Sequence, residues 1–344
     1  MRVTLHDVAN HAGVSTMTVS RVINDSPRVS LETRRRVQAS IAKLGYVPNR
    51  LARGLIQRKT GAFGVIVPDV ANPFFTLVVR GVERVAWRGG YHVILCDTQG
   101  DLERERGYLE DMVAFHVDGV LIAPVGDRSR PQLRVLTRNN VPFVLIDRSI
   151  DGFDADVVQG DSVAGARQLV EHLIGLGHRR IGMITETSDV STARDRLQGY
   201  REALEGTGVE FDPELVAGSS AIDPDVACGA TLRLLALPDP PTAVFAVNNI
   251  AVVGVVEAAR QQNLEIPSDL ALVCFDDIEH VSRLYPFLTV MAQPAETFGT
   301  IATQLLLDRL SGRVDQRRRI VVLPADLTVR KSSGALNREH AGTS

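Results

Sequence analysis

The sequence predicts an all-α head followed by an α/β body built of two doubly wound parallel-sheet subdomains. Short helical patterns fill the first 47 residues, whereas residues 60–330 alternate short apolar, strand-like runs with helical stretches. Continuous apolar strands separated by helices are typical of parallel sheets covered on both faces. Two such series, each of about 100 residues, indicate two subdomains that face each other across a cleft.

The first stretch, TLHDVANHAGVSTMTVSRVIN from Thr4 to Asn24, has the pattern of two short helices around a tight turn. We expect Thr4 to cap the first helix and Asp7 to return a capping-box bond. Gly13 supplies the turn and Ser15 caps the second helix. Such a pair is either an ordinary surface corner or a helix–turn–helix unit whose second helix enters the major groove of DNA.

Charge is divided unevenly along the chain, although the net charge is only −3. Residues 1–60 hold 11 Lys and Arg against 3 Asp and Glu, a net charge of +8, which leaves 27 basic against 38 acidic residues, a net charge of −11, for the rest. A small basic module on a large acidic body is expected for a head that binds a polyanion. A solvated charge run is the alternative, but it would not explain the helix–turn–helix pattern in the same segment.

A third helix is predicted between Ser30, its cap, and Gly45, its end. The next segment, residues 48–59, has a proline suited to the first turn of a helix but only about two turns to follow, too few to be stable alone. Its leucines lie at helical spacing among arginines. The segment is either a plain linker or a hinge that folds on DNA and inserts a leucine into a base step.

The predicted strands of the body end in unusually polar residues, at the edge where doubly wound sheets bind ligands. Carboxylates, amides, guanidinium groups and an aromatic pair suit a polyhydroxylated ligand, because hydroxyls need both donors and acceptors. Each residue alone is an ordinary cap or loop ion pair, but their recurrence at equivalent places favours a binding site. These residues are Asp69, Asn72, Phe74, Phe75, Asp147, Arg148, Arg196, Asn248, Asn249, Asp276, Asp277 and Gln293.

Several classes of protein are argued against. The sequence has no nucleophile elbow, glycine-rich phosphate loop or metal-spaced His cluster, so we expect neither an enzyme nor a cofactor nor a metal site. Cys96, Cys228 and Cys274 are scattered and are expected to be free thiols. No apolar run reaches the roughly 20 residues that span a bilayer, and the N-terminus lacks a signal-peptide pattern. We therefore expect a cytoplasmic protein without a membrane partner.

Taken together, these residues resemble the lactose/galactose repressor (LacI/GalR) family of transcriptional repressors. The resemblance rests on HDVANHAGVSTMTVSRVIN and RVSLETRRRVQASIAKLGYVPNRLARGL in the head, and on GVIVPDVANPFF, VPFVLIDR, GHRRIGMI, RLQGY, LVCFDD, FLTVMAQP and DLTVRKS in the body. It extends to Ser332. It implies a body similar to periplasmic sugar-binding proteins, with three crossovers between the subdomains near residues 160, 291 and 322.

The resemblance also implies a domain organisation. A helix–turn–helix DNA-binding domain spans 1–47, a hinge helix or linker 48–59, the effector-binding and dimerisation core 60–332, and a flexible tail 333–344. Within the core, an N-subdomain comprises residues 60–160 and 292–322, and a C-subdomain comprises residues 161–291 and 323–332. The tail has no leucine heptads, so a homodimer is expected rather than a larger assembly held by a coiled coil.

Carried over position by position, the resemblance assigns DNA contacts. Bases would be read by Thr16, Met17 and Arg21, and phosphates would be held by Ser15, Thr18, Ser20, Asn24, Ser30 and Thr33. In the hinge, Asn49, Ala52 and Leu55 would lie in the minor groove, with Leu55 intercalating at the centre of the operator. Arg21 suits bidentate contact with a guanine, whereas Met17 offers only apolar contact.

In the cleft, the resemblance assigns effector binding to Asn72, Phe74, Phe75, Asp147, Arg148, Arg196, Asn248, Asp276 and Gln293. Three positions depart from the family pattern. Pro224 stands where many relatives have an aromatic wall, Asn249 replaces the usual Asp, and Glu186 stands where Gly is common.

The implied function is that of a homodimeric repressor of sugar-utilisation genes, which binds a pseudo-palindromic operator in double-stranded DNA and answers to a small, sugar-like effector. A regulator of the same family controlled by a purine, a phosphosugar or a phosphoprotein corepressor is the alternative. A purely ligand-binding role is argued against by the basic head and the missing signal peptide.

Overall fold

The computed structural model describes residues 3–47, 60–186, 189–219, 223–312 and 317–334. The chain divides into two compact units, Met1–Thr60 and Gly61–Ser344. The first is helical and the second contains two parallel-dominated sheets with helices between their strands, which confirms the predicted fold class.

The head consists of three helices, α1 (Leu5–Ala12), α2 (Thr16–Ile23) and α3 (Leu31–Leu44). The predicted capping box is confirmed, because Thr4 and Asp7 bond each other's backbone N–H groups. Ser15 and Ser30 cap α2 and α3 as expected. The core of the head is small and entirely aliphatic; its buried members are Val8, Ala9, Ala12, Val19, Val22 and Val37.

The second unit alternates strands and helices. Its strands are β1 (Ala62–Val67), β2 (His92–Asp97), β3 (Gly119–Ile122), β4 (Phe143–Ile146), β5 (Asp156–Gly160), β6 (Ile181–Glu186), β7 (Val216–Ser219), β8 (Ala243–Ala246), β9 (Ala271–Phe275), β10 (Thr289–Ala292), β11 (Ile320–Leu323) and β12 (Asp326–Thr328). Its α-helices are α4 (Pro73–Arg88), α5 (Leu102–Ala114), α6 (Arg130–Arg138), α7 (Ser162–Gly175), α8 (Ser191–Thr207), α9 (Pro224–Leu235), α10 (Asn249–Gln261), α11 (Glu279–Leu284) and α12 (Ala295–Ser311).

Two sheets organise these elements. The first has the order β11-β5-β4-β3-β1-β2, and the second has the order β12-β10-β9-β8-β6-β7. All the strand pairs are parallel except β10 with β12. The chain passes between the sheets three times, after β5, after β10 and after β11. Ligands bound at the carboxyl ends of both sheets would therefore lie beside the three crossing segments.

Each sheet is covered by helices that approach closely. On the first sheet, α12 packs against α4, and a Cβ atom at Gly299 would lie 2.0 Å from the carbonyl oxygen of Val78. Glycine at this position permits the contact between the two helices. Because α12 follows β10 of the second sheet, this contact holds one of the crossing segments against the first sheet.

Ion pairs anchor the chain just before β11 and just beyond β12. The Asp156 side chain at the start of β5 is fully buried, and it accepts hydrogen bonds from Arg309 at 2.7 and 2.9 Å and from Arg319 at 2.8 Å. Burial alone would raise the pKa of Asp156, but the bonds from the two arginines outweigh it and hold that pKa below its usual value. Beyond β12, Arg330 donates to both carboxylate oxygens of Asp277, at 3.1 and 2.7 Å.

The three cysteines are free thiols, as expected; Cys228 and Cys274 are buried and Cys96 is half-buried. Among the described residues, no helix is both long and apolar enough to cross a membrane. The same part of the chain contains no group of three or more His, Cys, Asp and Glu side chains arranged to hold a metal ion.

Candidate functional sites

The exposed face of α2 carries the three residues predicted to read bases. Thr16, Met17 and Arg21 are exposed, and 63% of the Met17 surface is accessible. Val19 and Val22 are buried on the opposite side of the helix and anchor it to the head core. The Arg21 side chain makes no hydrogen bond or ion pair with any described residue, so its guanidinium group is available for a ligand outside the chain.

Hydroxyl pairs mark the N-termini of α2 and α3. Ser15 Oγ lies 2.9 Å from Thr18 Oγ1, and Ser30 Oγ donates to Thr33 Oγ1 at 3.0 Å. Free backbone N–H groups and the helix dipole make an N-terminus favourable for an anion. These four predicted phosphate-binding residues therefore lie where the backbone favours a phosphate.

At the other end of α2, Asn24 donates from Nδ2 to Ser20 Oγ at 3.4 Å, and its buried Oδ1 lacks a partner among the described residues. This pair places the remaining two predicted phosphate contacts side by side. The predicted hinge residues Asn49, Ala52 and Leu55 lie outside the described residues.

In the second unit, two aspartates occupy equivalent positions at the strand ends. Asp147 follows β4 and Asp276 follows β9, and each has a left-handed backbone, with φ of 65° and 71°. Their N–H groups continue the sheets by donating to Val158 O at 2.8 Å and Met291 O at 3.0 Å. Left-handed backbone is rare and costly for residues other than glycine, and it concentrates at functional sites. Both side chains are buried.

Arg148 lies beside the first aspartate and is held by main-chain oxygens. Its Nη1 donates to Pro124 O at 3.2 Å and to Val125 O at 3.1 Å. Its Nε lies 3.9 Å from Asp147, and its Nη2 lies 3.9 Å from Glu186 of the facing sheet. These ion-pair distances are too long for hydrogen bonds. Nε is buried and has no partner among the described residues.

Arg196 has the corresponding place beside the second aspartate. Its guanidinium stacks on the Phe275 ring at 3.9 Å, and its Nη1 donates to Val247 O at 2.7 Å. The same Nη1 lies 3.9 Å from Asp276, again beyond hydrogen-bond distance, and the buried Nε has no partner in the described chain. Each half of the cleft thus contains an oriented guanidinium group that is close to a carboxylate but not bonded to it.

Amide side chains join the two halves. Asn249 Nδ2 donates to Asn72 Oδ1 at 3.0 Å, between two buried residues on opposite sides of the cleft. Gln293 Nε2 donates to Asp276 at 2.6 Å. Asn249 Oδ1 and Gln293 Oε1 are buried without a partner among the described residues. Asn248 bonds Glu186 at 3.1 Å and also caps α10.

Contacts at the rim also bridge the halves. Asp127 accepts a bond from Arg194 at 2.5 Å, and its backbone N–H donates to Asp189 O at 2.9 Å. Ser149 N–H donates to Ser191 Oγ at 3.0 Å. The two subdomains are therefore joined both inside the cleft and at its rim.

Seven of the nine predicted effector residues meet in this polar cluster, whereas the aromatic pair has a different position. Phe74 and Phe75 are 5% and 4% exposed and pack edge to face with each other, and Phe74 packs in the same way on Phe298 in the N-subdomain core. They follow Asn72, which caps α4 by accepting from Phe74 N at 2.9 Å. Pro224 is exposed at the start of α9.

Three residues of the cluster, Phe275, Asn249 and Glu186, were not assigned to the effector by resemblance. Phe275 contacts Arg196, which lies far away in the chain, so the sequence around either residue does not indicate this contact. Asn249 and Glu186 stood out as departures from the family pattern. A polar residue at the end of a buried strand was the further signal for Glu186, the last residue of β6.

Burial changes the acidity of the two aspartates. It raises the pKa of Asp147 to about 6, against the opposing effect of Arg196 and Arg148 and with smaller contributions from Asp276 and Glu186. Burial also raises the pKa of Asp276, opposed by Arg196 and by the bond from Gln293. The cleft therefore holds carboxylates that are less stable in their ionised form than they would be in water.

The raised pKa of Asp147 predicts that Asp147→Asn stabilises the protein above pH 6. A carboxyl whose pKa is raised by folding contributes stability that is fully present below its unfolded pKa and is lost as the pH rises through the folded pKa, here about 6. Asp147→Asn should therefore raise the free energy of unfolding at pH 7.5 by on the order of 1–3 kcal/mol, and by much less at pH 4. Urea unfolding at both pH values, with exposed Asp154→Asn as control, measures this. An equal effect at the two pH values would contradict it.

Comparison with known proteins identifies the family. Residues 4–49 match the family of bacterial regulatory proteins of the lacI type, and residues 170–333 match the periplasmic binding protein-like domain. The chain is 36% identical over 322 residues to the ribose operon repressor of Escherichia coli (strain K12), across 93% of this chain and 97% of that protein. It is 32% identical over 339 residues to the HTH-type transcriptional repressor PurR of Photobacterium profundum, across 97% and 99%.

A solved structure agrees with these relatives. The lac repressor dimer bound to operator and the anti-inducer ONPF matches with a TM-score of 0.83 and 28% identity, across 97% of this chain and 99% of that one. The matches cover the basic head and the polar cleft together. The chain therefore belongs to the lacI family of bacterial regulatory proteins, and it is a DNA-binding transcriptional repressor rather than an enzyme.

Proposed function

We propose that this repressor acts as a cytoplasmic homodimer on a pseudo-palindromic operator and that a sugar in the cleft controls it. The observation that carries the proposal is the set of buried polar atoms that have no partner among the described residues and that belong to side chains from both subdomains in one polar cluster. A buried polar atom without a hydrogen bond costs free energy. A ligand rich in hydroxyl groups would supply those bonds, because each hydroxyl both donates and accepts.

The proposed effector contacts are the polar residues of the cluster. Asp147 and Asp276 would accept bonds from hydroxyl groups, and Arg148 and Arg196 would donate from the Nε atoms that lack partners among the described residues. Gln293 would accept through its free Oε1. Charge-assisted bonds of this kind are stronger than neutral ones. The resemblance to a ribose operon repressor supports a sugar.

Ligand binding would act through the junction between the subdomains. The Asn72–Asn249 bond and the rim contacts of Asp127 already join the two halves. A sugar that contacts both halves binds the closed arrangement better than an open one, and it can shift the equilibrium only by that difference in affinity. Effector and operator would then change each other's affinity by the same factor.

For DNA, we propose that α2 enters the major groove, with Arg21 reading a guanine and Thr16 and Met17 contacting neighbouring bases. The hydroxyl pairs at the N-termini of α2 and α3, together with Ser20 and Asn24, would contact phosphates. Phosphate contacts set position, whereas base contacts give specificity. A homodimer would present two heads related by twofold symmetry, so its operator should contain two half-sites related by the same symmetry.

Exposed apolar side chains support a homodimer. On the C-subdomain, α10 exposes Val253 and Val256, and the α11 region exposes Val281, Leu284 and Tyr285, with Leu284 89% exposed. Large exposed apolar groups mark interaction surfaces when they occur together. A second copy of the chain would cover them, and the lac repressor, which this chain resembles, is a dimer in its operator complex.

The ligand proposal is tested by a thermal-shift screen of neutral sugars, phosphosugars and nucleobases. A ligand that binds only the native state at 100 times its Kd should stabilise it by about 2.7 kcal/mol. A neutral sugar should raise the Tm and change operator affinity, whereas Asp276→Ala should lose both responses and still bind operator. A response to a nucleobase alone would favour the purine-controlled alternative, and an unchanged dose-response in Asp276→Ala would remove that residue from the site.

The DNA proposal predicts different results for two Arg21 variants. Arg21→Ala should cost about 1–3 kcal/mol on the preferred operator and relax sequence preference. Arg21→Lys should lose much of the same discrimination but keep its affinity for scrambled DNA, because lysine keeps the charge without the planar fork. Fluorescence anisotropy on both DNAs at several salt concentrations distinguishes the roles. Equal losses on the two DNAs would reassign Arg21 to a phosphate.

The dimer proposal predicts a change in mass for Leu284→Glu. A charge in an apolar interface should convert the dimer to a monomer, because the buried carboxylate would lose its hydration. Sedimentation equilibrium of the free protein measures this, and Leu31→Glu, at a 74% exposed leucine of the head, is the matched control. A wild-type monomer, or a dimeric Leu284→Glu, would contradict the proposal.

A further inference from the structure

We propose that Glu186 makes the cleft selective for a neutral polyhydroxylated ligand and against a phosphorylated or otherwise anionic one. The inference rests on the proposed function, because it assumes that the effector binds in this cleft. Glu186 thereby becomes a specificity-determining residue of that site.

The position of Glu186 places its charge at the junction of the two subdomains. It ends β6 of the second sheet, and its side chain is 18% exposed. One oxygen accepts a bond from Asn248 at 3.1 Å, and the other lies 3.9 Å from Nη2 of Arg148 on the first sheet. The carboxylate is thus oriented by a neighbour of its own subdomain and directed at the guanidinium group of the other.

The charges of the cleft do not cancel when Glu186 is included. Three carboxylates, those of Asp147, Asp276 and Glu186, lie 3.9 Å from the two guanidinium groups of the cluster, those of Arg148 and Arg196. Without Glu186 the two aspartates and the two arginines would balance. Glu186 therefore gives the cluster a net charge of −1 when all five groups are ionised.

The two arginines can each donate a hydrogen bond, but the charge of each is already offset in part by a nearby carboxylate. Arg148 is held by the carbonyl oxygens of Pro124 and Val125, and Arg196 by Val247 O and the Phe275 ring. Each is also 3.9 Å from a carboxylate. A phosphate that reached either guanidinium would come close to that carboxylate, whereas a hydroxyl would fit between donor and acceptor.

Two like charges roughly 6–12 Å apart in a partly buried site, at an effective dielectric constant of about 20, weaken binding by on the order of 10- to 100-fold. A neutral sugar avoids this loss, and its hydroxyl groups form charge-assisted bonds to the same carboxylates. Selectivity would therefore depend on repulsion of an anionic ligand as well as on contacts with a neutral sugar.

The test uses Glu186→Gln, which removes the charge and keeps both the shape and an acceptor oxygen for Asn248. Glu171→Gln is the control, because Glu171 is an exposed residue of α7 and the change in net charge is the same. Calorimetric titration compares D-ribose, D-glucose and D-fructose with D-ribose 5-phosphate, D-glucose 6-phosphate and D-fructose 6-phosphate. Circular dichroism and operator binding establish that each variant is folded.

The wild type and Glu171→Gln should bind at least one neutral sugar at least about tenfold more tightly than its phosphate. In Glu186→Gln, that ratio should fall by about tenfold or more. A phosphate that binds the wild type as tightly as its sugar would overturn this inference and leave the effector cleft standing, as would an unchanged ratio in Glu186→Gln. Binding of no sugar and no phosphate to the wild type would overturn the proposed sugar effector and this inference together.

Discussion

The cleft depends on a backbone constraint that occurs twice, the left-handed turn at the ends of β4 and β9. The main chain of Asp147 and Asp276 still bonds to the neighbouring strand, while the positive φ turns each residue out of its sheet. Such a conformation is disfavoured for a residue with a side chain and persists only where its surroundings impose it. The result is a pair of buried carboxylates, one from each sheet, which face two oriented guanidinium groups. The raised pKa of Asp147 reflects the cost of this arrangement.

Ion pairs hold the last two strands, β11 and β12, in their sheets. Asp156, buried at the start of β5, binds Arg309 at the end of α12 and Arg319 just before β11, so one carboxylate fixes the returning chain to the first sheet. Asp277, next to Asp276 of the polar cluster, binds Arg330 beyond β12. Each anchor lies within one subdomain, the first at the amino ends of β5 and β11 and the second beyond β9 and β12. Bonds of this kind favour movement of each subdomain as a unit, which is what a ligand between them would control.

Local sequence pattern was sufficient for the fold class, the helix caps of the head and most of the cleft. The caps Thr4, Ser15 and Ser30 can be predicted because each side chain accepts from a backbone N–H group only three residues further along the chain. The polar strand ends can be predicted to converge because the carboxyl ends of parallel strands lie at the same edge of a sheet. Contacts between residues far apart in the chain cannot be predicted from local sequence pattern. The strand-end pattern and the resemblance both assign Phe74 and Phe75 to the ligand site, whereas in the structure both rings are buried and Phe74 packs on Phe298. Arg196 stacks on Phe275, which belongs to a separate element, so no local sequence pattern predicts this contact.

Buried polarity and conformational control are connected in this cleft. The direct bond between Asn72 and Asn249 joins the subdomains without a charge, whereas the nearest guanidinium–carboxylate pairs remain at 3.9 Å and are incompletely satisfied. The neutral bond holds the halves near each other, and the unsatisfied charges leave free energy that a ligand can release. A ligand shifts the arrangement only through interactions that differ between open and closed states. The buried polar atoms without partners among the described residues lie on both subdomains. A ligand that bonded to all of them together would therefore bind the closed arrangement better than an open one.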